Sequence, residues 1–256
     1  MPNSGREMPI NQALAKEWKK AGYEPGMASA WVTQPPPSDL LRVFHLTSAN
    51  HAINDISFNR MKVSRFSDSN DPYELMALAF DSGTIRTAIS KFKAEYDQNV
   101  GLLCFSSNWA SPVLWSHYGD RHRGICLGFN VHKSEAIKVR YADNRLHTQL
   151  PDFGRLNNVD DKLRELLICT KFRDWGYEKE IRLEAPLNQA VREGSNFFWK
   201  FGDKLQLAEV VLGPLCDLSV DSVRQKVISL YPDVVTYQAR FAIKSFSIVP
   251  KENTVP

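Results

Sequence analysis

WGYEKEIRL, Trp175–Leu183, places acid, acid and base at every second position: Glu178, Glu180 and Arg182. On a helix these side chains would scatter around the axis, whereas on a strand they share one face. The strand reading puts Trp175, Tyr177, Ile181 and Leu183 on the opposite face, broken by Lys179. Two like-charged glutamates on one face need a cation, and Arg182, Lys171 and Arg173 are at hand. Carboxylates placed together also push one another's pKa upward, a recurring feature of working sites. The bland alternative is an exposed, solvated strand face.

Outward from this stretch, VDDKLRELLICTKFRDW (159–175) predicts a helix with an acidic first turn. LLRVFHLTS (40–48), VGLLCFSS (100–107), GICLGFNV (124–131), LAEVVLGPLC (207–216) and VVTYQARFAIKSFSIV (234–249) read as strands, some with a turn. AIKVRYAD (136–143) reads as one more strand. SANHAINDISFNRMKVSRF (48–66) reads as a short helix and a strand, and SVDSVRQKVISLY (219–231) as a helix. SDSNDPYE (67–74) is a turn by composition, with Pro72 opening the helical YELMALAF and IRTAISKFKAEYDQN. Strands and helices intermix without steady alternation, which predicts an α+β class. Ile10, Ala13, Leu14 and Trp18 fall near one side of a helix, and TQPPPSDL (33–40) then stops regular structure. The expected division is a helical arm and Pro-rich linker over 1–40, a main domain over 41–250 and a tail over 251–256.

The 256 residues are 43% hydrophobic, enough for a sizeable core. A net charge of +3 and no run of five like charges argue against a dedicated nucleic-acid binder. Cys104, Cys126, Cys169 and Cys216 are widely spaced with no CxxC pair, which predicts buried reduced thiols, a cytoplasmic protein and no metal site. The start MPNSGREMPINQ lacks the apolar stretch of a signal peptide, and no run of apolar residues is long enough to span a membrane. Walker, dinucleotide-binding, zincin and hydrolase-elbow motifs are absent.

Four stretches carry candidate chemistry. In FHLTS, His45 and Thr47 share a strand face and, with Ser48, can hydrogen-bond a ligand, although a histidine satisfied within the sheet is the more ordinary case. In FSDSNDPYE, Asn70, Asp71 and Glu74 crowd a turn, and Asp71 before Pro72 reads first as a helix cap. In SPVLWSHYGDRHRGICLGF, Trp115, His117, Tyr118, His122 and Arg123 gather within nine positions. They form either a wall for a flat ligand or a packed interface. The fourth is KFRDWGYEKEIRL, with Lys171, Trp175, Glu178, Glu180 and Arg182.

Taken in order, FHLTS, NDPYE, LCFSS, WSHYGDRHRG, KFRDWGYEKEIRL and AEVVLG resemble the motif series of the bacterial domain-of-unknown-function family 2971, over about residues 43 to 215. More distantly, a strand-borne His-x-Thr, a central aromatic and a late Glu-x-Glu strand are similar to ADP-ribosyltransferases. That resemblance implies a split mixed or antiparallel β core and NAD as substrate, without a metal. His45, supported by Thr47 and Ser48, would hold the ribose and adenosine side. Tyr118 or Trp115, near His117, would stack on nicotinamide. Glu180 would be the working carboxylate, Glu178 its partner and Arg182 a counter-charge. Glu209 in AEVVLG is a rival to Glu180. The resemblance implies an enzyme that transfers ADP-ribose to a protein or nucleic acid, in a bacterial toxin or phage-defence setting; the acceptor and the oligomeric state stay open. One alternative is a nucleic-acid enzyme or binder with Arg121, His122, Arg123, Lys171 and Arg173 as a basic rim and Trp109 and Trp115 for stacking. Another is a nucleotide sensor without turnover.

Overall fold

The computed structural model describes residues 34–71, 73–74, 83–145 and 161–255, the side chains at 83–85 and 161–163 excepted. The expected arm helix around Ile10–Trp18, the role given to Pro72 and the helix expected beyond Glu74 lie outside the described residues. Among the described residues the class is α+β, dominated by one eight-stranded sheet.

The strands are β1 (Leu40–Thr47), β2 (Arg60–Val63), β3 (Val100–Ser106), β4 (Ile125–His132), β5 (Ile137–Lys138), β6 (Arg140–Ala142), β7 (Thr170–Phe172), β8 (Glu180–Pro186), β9 (Val191–Glu193), β10 (Asn196–Lys200), β11 (Gln206–Leu212), β12 (Val235–Phe241) and β13 (Ile248–Pro250). The large sheet runs β13-β12-β11-β4-β1-β3-β8-β5. All its pairings are antiparallel except β11 with β12, which are joined through the helix Val220–Leu230. A parallel pair needs such a crossover because its strands run the same way. Smaller sheets are β2-β10-β9 and β6-β7. The segment expected as one strand over 136–143 therefore splits into β5 and β6 in different sheets. The last strand likewise breaks into β12 and β13. The β9–β10 hairpin, turned at Gly194 with φ +60, carries no clear alternation in sequence.

Two halves of the large sheet meet at one place. β1 pairs along its whole length with β4, and β3 along its whole length with β8. Between β1 and β3 only Phe44↔Ser106 is in register. Beyond that point the ladder is replaced by a side chain, His45 Nδ1 lying 3.1 Å from the Cys104 carbonyl. The main core, with Val43, Leu103, Phe105, Ile181 and Leu183, covers one face. On the other face Phe44, Leu46, Trp109 and Trp115 form a second cluster, and Leu102, Phe66, Tyr96 and Leu167 a third. A cavity opens on this second face, where β1 and β3 part.

Short-range chemistry sets the elements that flank it. Ser48 caps the helix Ala49–Phe58 by accepting from the His51 N–H, and Asn59 ends it in the left-handed region at φ 54. Ser111 caps the helix Pro112–His117, with Pro112 at a position that has no helical partner to lose.

A buried carboxylate cluster as the candidate functional site

A cavity of about 380 Å³ is lined by β1 (Phe44, His45, Leu46), the segment from Ser64 to Asn70, Glu74, the inner face of β3, Tyr118, Lys171, Glu178, Glu180 and Arg182. That volume lies toward the lower end of the ~300–1,000 Å³ range of small-molecule sites.

The floor is ionic. Arg182, 1% exposed, donates to both oxygens of Glu180 (2.8 and 2.9 Å), to Glu74 Oε1 (2.7 Å) and to the Ile168 carbonyl (2.6 Å). Lys171 Nζ donates to Glu178 Oε2 at 2.6 Å and to Glu180 Oε2 at 3.3 Å, and lies over the Trp175 ring at 4.7 Å. The Tyr118 hydroxyl donates to Glu178 Oε1 and accepts from Asn70 Nδ2 at 3.4 Å. The backbone N–H of Glu180 donates to the Tyr141 hydroxyl at 2.8 Å. All five charged side chains are buried, so the solvated-face alternative does not hold.

The strand reading of 175–183 needs correction. β8 begins at Glu180, and Arg173–Glu178 is a 3-10 helix closed by Lys179 at φ 44. Glu178 is therefore not on the strand, and Trp175 and Tyr177 do not line its other face. The turn lets both carboxylates meet one ammonium, Lys171. It is pinned from β3: Ser106 Oγ donates to the Glu178 carbonyl at 2.6 Å, and the Ser107 N–H to the Lys179 carbonyl at 3.0 Å. The period-two pattern holds for Glu180 and Arg182 only.

The expected rise in pKa is also not what the arrangement produces at Glu180. Burial pushes the Glu180 carboxyl up, but the Arg182 guanidinium and then Lys171 outweigh it and hold Glu180 below the usual range. Lys171 is lowered by burial and raised by Glu180 and Glu178, with the rise prevailing. The group pushed up is Glu74, where burial exceeds the pull of Arg182. Burial also lowers His45, partly offset by its contact with the Cys104 carbonyl. A neutral imidazole facing a carbonyl must carry its proton on Nδ1, which leaves Nε2 as an acceptor. Burial and then Glu180 keep the Cys104 thiol protonated.

The remaining candidates separate cleanly. Thr47 ends β1 outside the cavity lining, and Ser48 is spent as a helix cap. Trp115, expected to stack on a ligand, is 0% exposed and donates its Nε1–H to the Trp109 carbonyl at 2.6 Å, so it is core. His117 is exposed and bound to the Tyr177 hydroxyl at 2.9 Å. Asp71 Oδ1 accepts from the Tyr73 N–H at 2.9 Å, a bond within the turn; the helix it was expected to cap lies outside the described residues. Glu209 is buried against Arg42 and accepts from the Tyr237 hydroxyl at 2.8 Å. Registers place Glu209, Gly128, Phe44, Ser106 and Glu180 in one row across β11, β4, β1, β3 and β8. Four interstrand steps of ~4.8 Å put the two glutamates about 19 Å apart along the sheet. Glu209 is thus on the correct face but outside this cavity. Trp109 is likewise 0% exposed and, with Trp115, offers no stacking face to a nucleic acid. Arg173 is paired with Asp143 at 2.9 Å.

Cavity residues without a sequence-level role are Cys104, Ser106 and the segment from Ser64 to Ser69. Cys104 and Ser106 lie in the LCFSS motif, and alternation along β3 with Leu103 and Phe105 in the core assigns them to the cavity face. The Ser64–Ser69 segment has no local signal; it reaches the cavity because Ser64 bridges to Leu102 and Ser67 binds Asp97. Among the described residues no cluster of His, Cys, Asp and Glu has the geometry to hold a metal, and no helix is long and apolar enough to cross a membrane.

No curated protein and no solved structure matches the chain. The model of the family described as "Protein of unknown function (DUF2971)" matches residues 114–183. Over that span, which carries Tyr118, Lys171, Glu178, Glu180 and Arg182, the chain is similar to this family.

Proposed function

We propose that the cavity takes the nicotinamide–ribose end of NAD and that the protein is an ADP-ribosyltransferase-like enzyme. One observation carries the reading. His45, Tyr118, Glu178 and Glu180, drawn from three separate stretches of sequence, line a single cavity where the sheet divides.

The chemistry suits these groups. Breaking the bond between nicotinamide and ribose builds positive charge on the sugar, and an ionised carboxylate beside the anomeric carbon stabilises it. Glu180, held ionised by Arg182 and Lys171, takes that role. Glu178 fixes the Tyr118 hydroxyl, which orients the phenol ring as a wall for the departing, flat nicotinamide. His45 Nε2 accepts from a ribose hydroxyl. Three carboxylates against two cations leave one formal negative charge on the floor, matching a cationic transition state.

The test is nicotinamide release from NAD in the presence of protein and nucleic-acid acceptors. Glu180→Gln is expected to lower the rate by about 100-fold or more. Equal release by wild type and variant, or no release by wild type with any acceptor, would sink the proposal. A second reading has its own support: Glu178 and Glu180 already accept hydrogen bonds on every oxygen, as suits a rigid nucleotide sensor. Calorimetric binding of NAD with no product formed would select it.

A further inference from the structure

Two of the three carboxylates on the cavity floor are fully engaged. Glu178 accepts from Tyr118 on one oxygen and from Lys171 on the other. Glu180 accepts from Arg182 on both and from Lys171 on one. Glu74 accepts from Arg182 on Oε1 alone, and among the described residues no hydrogen bond reaches Oε2. Two cations cannot compensate three buried anions, so the least engaged carboxylate is the one from which a proton is hardest to remove.

We propose that Glu74 is the proton-exchanging group of this cavity, receiving through Oε2 the proton that an acceptor hydroxyl or water gives up on attacking the ribose. This deepens the NAD-cleavage reading and rests on it. In the step, the bond from the anomeric carbon to nicotinamide breaks and its electron pair stays on the ring nitrogen. The acceptor oxygen forms the new bond to the anomeric carbon, and its proton passes to Glu74. The charged and titratable groups facing Glu74 are Arg182 and Glu180 from β8 and Lys171 from β7. Lys93 donates to its backbone carbonyl at 2.7 Å, and His45, Arg65, Asp68, Cys104, Tyr118 and Glu178 are the other titratable and charged groups of the cavity. Its raised pKa agrees with the geometry and brings it nearer the operating range of a general base. Glu180, tied down and held ionised, is the electrostatic partner; environments that push two carboxyls apart divide their labour.

The experiment compares wild type with Glu74→Gln and Glu74→Asp. The amide of the first variant retains an oxygen for Arg182, so the fold has a way to persist; the second variant retains the acid. For an active wild type, Glu74→Gln is expected to lower kcat about 100-fold, leave KM for NAD little changed and erase the acidic limb of the pH profile. Glu74→Asp is expected to restore the limb. An acidic limb retained in Glu74→Gln overturns the proposal. Carboxyl-carbon NMR gives a reading independent of turnover, with the Glu74 resonance identified by its loss in Glu74→Gln. If wild type cleaves no NAD, the functional reading fails by itself. Titration above the ordinary glutamate range then keeps Glu74 as the cavity's proton carrier, and titration within that range overturns it.

Discussion

Arg182→Met tests whether the ionic floor is a single coupled unit. Methionine matches much of the arginine stem but removes four donated hydrogen bonds, three of them to Glu74 and Glu180. With Arg182 only 1% exposed, water does not replace them. Removing one partner of a buried ion pair costs about 3–5 kcal/mol, mostly because the other charge is left uncompensated. That is a large share of a typical stability of about 5–15 kcal/mol. It corresponds to a melting temperature about 10 °C lower for a domain of this size. The cost should also depend on pH. Without the guanidinium the pKa of both Glu74 and Glu180 rises, so the variant's native state binds more protons than its unfolded state and loses stability as pH increases. The measurement is urea denaturation of wild type and variant at several pH values, with equal m-values as the two-state check. The difference should be largest above neutrality and shrink as pH falls toward the ordinary glutamate range. A loss below about 1 kcal/mol, or one that does not vary with pH, would refute the cluster as described.

Two further perturbations follow from the same frame. A Cβ on Gly124 would overlap the Thr47 carbonyl oxygen and lie 2.9 Å from the Gly119 backbone. Gly124→Ala should therefore cost about 3 kcal/mol by forcing β1 and β4 apart, read as a lower urea midpoint; an unchanged midpoint would show that the junction yields. His45 is held neutral in the folded protein by burial. The unfolded chain then takes up the proton first, so stability contributed by His45 is present above its ordinary pKa and is lost as pH falls below about 6.5. His45→Gln should remove that part of the slope between about pH 7.5 and pH 5.5, and an identical slope in both proteins would refute the assignment.

The candidate site was legible in sequence to an uneven degree. Glu180 and Arg182 were readable from alternation, because both sit on one strand and share its face. Glu178 was found for a reason that does not hold, since a left-handed Lys179 takes it off the strand and a buried ammonium brings it back. Trp115 and Tyr118 are three residues apart on one short helix and its cap, yet one is core and the other lines the cavity. Residue type does not separate them, because an amphipathic aromatic suits both places; the direction in which the helix packs does.

By itself, the order of residues determined the class of the fold, most strands of the main sheet and the set of polar side chains from which a site could be built. Those properties depend on neighbours along the chain: alternation, caps and turn residues. The tertiary structure alone placed Glu180 in the cavity and Glu209 outside it, because both occupy the same face and only strand order sets them about 19 Å apart. It also decided that Glu74, from a turn with no regular pattern, completes the floor. Which charges share a cation depends on where β1 and β3 separate, and that parting is a property of the assembled sheet.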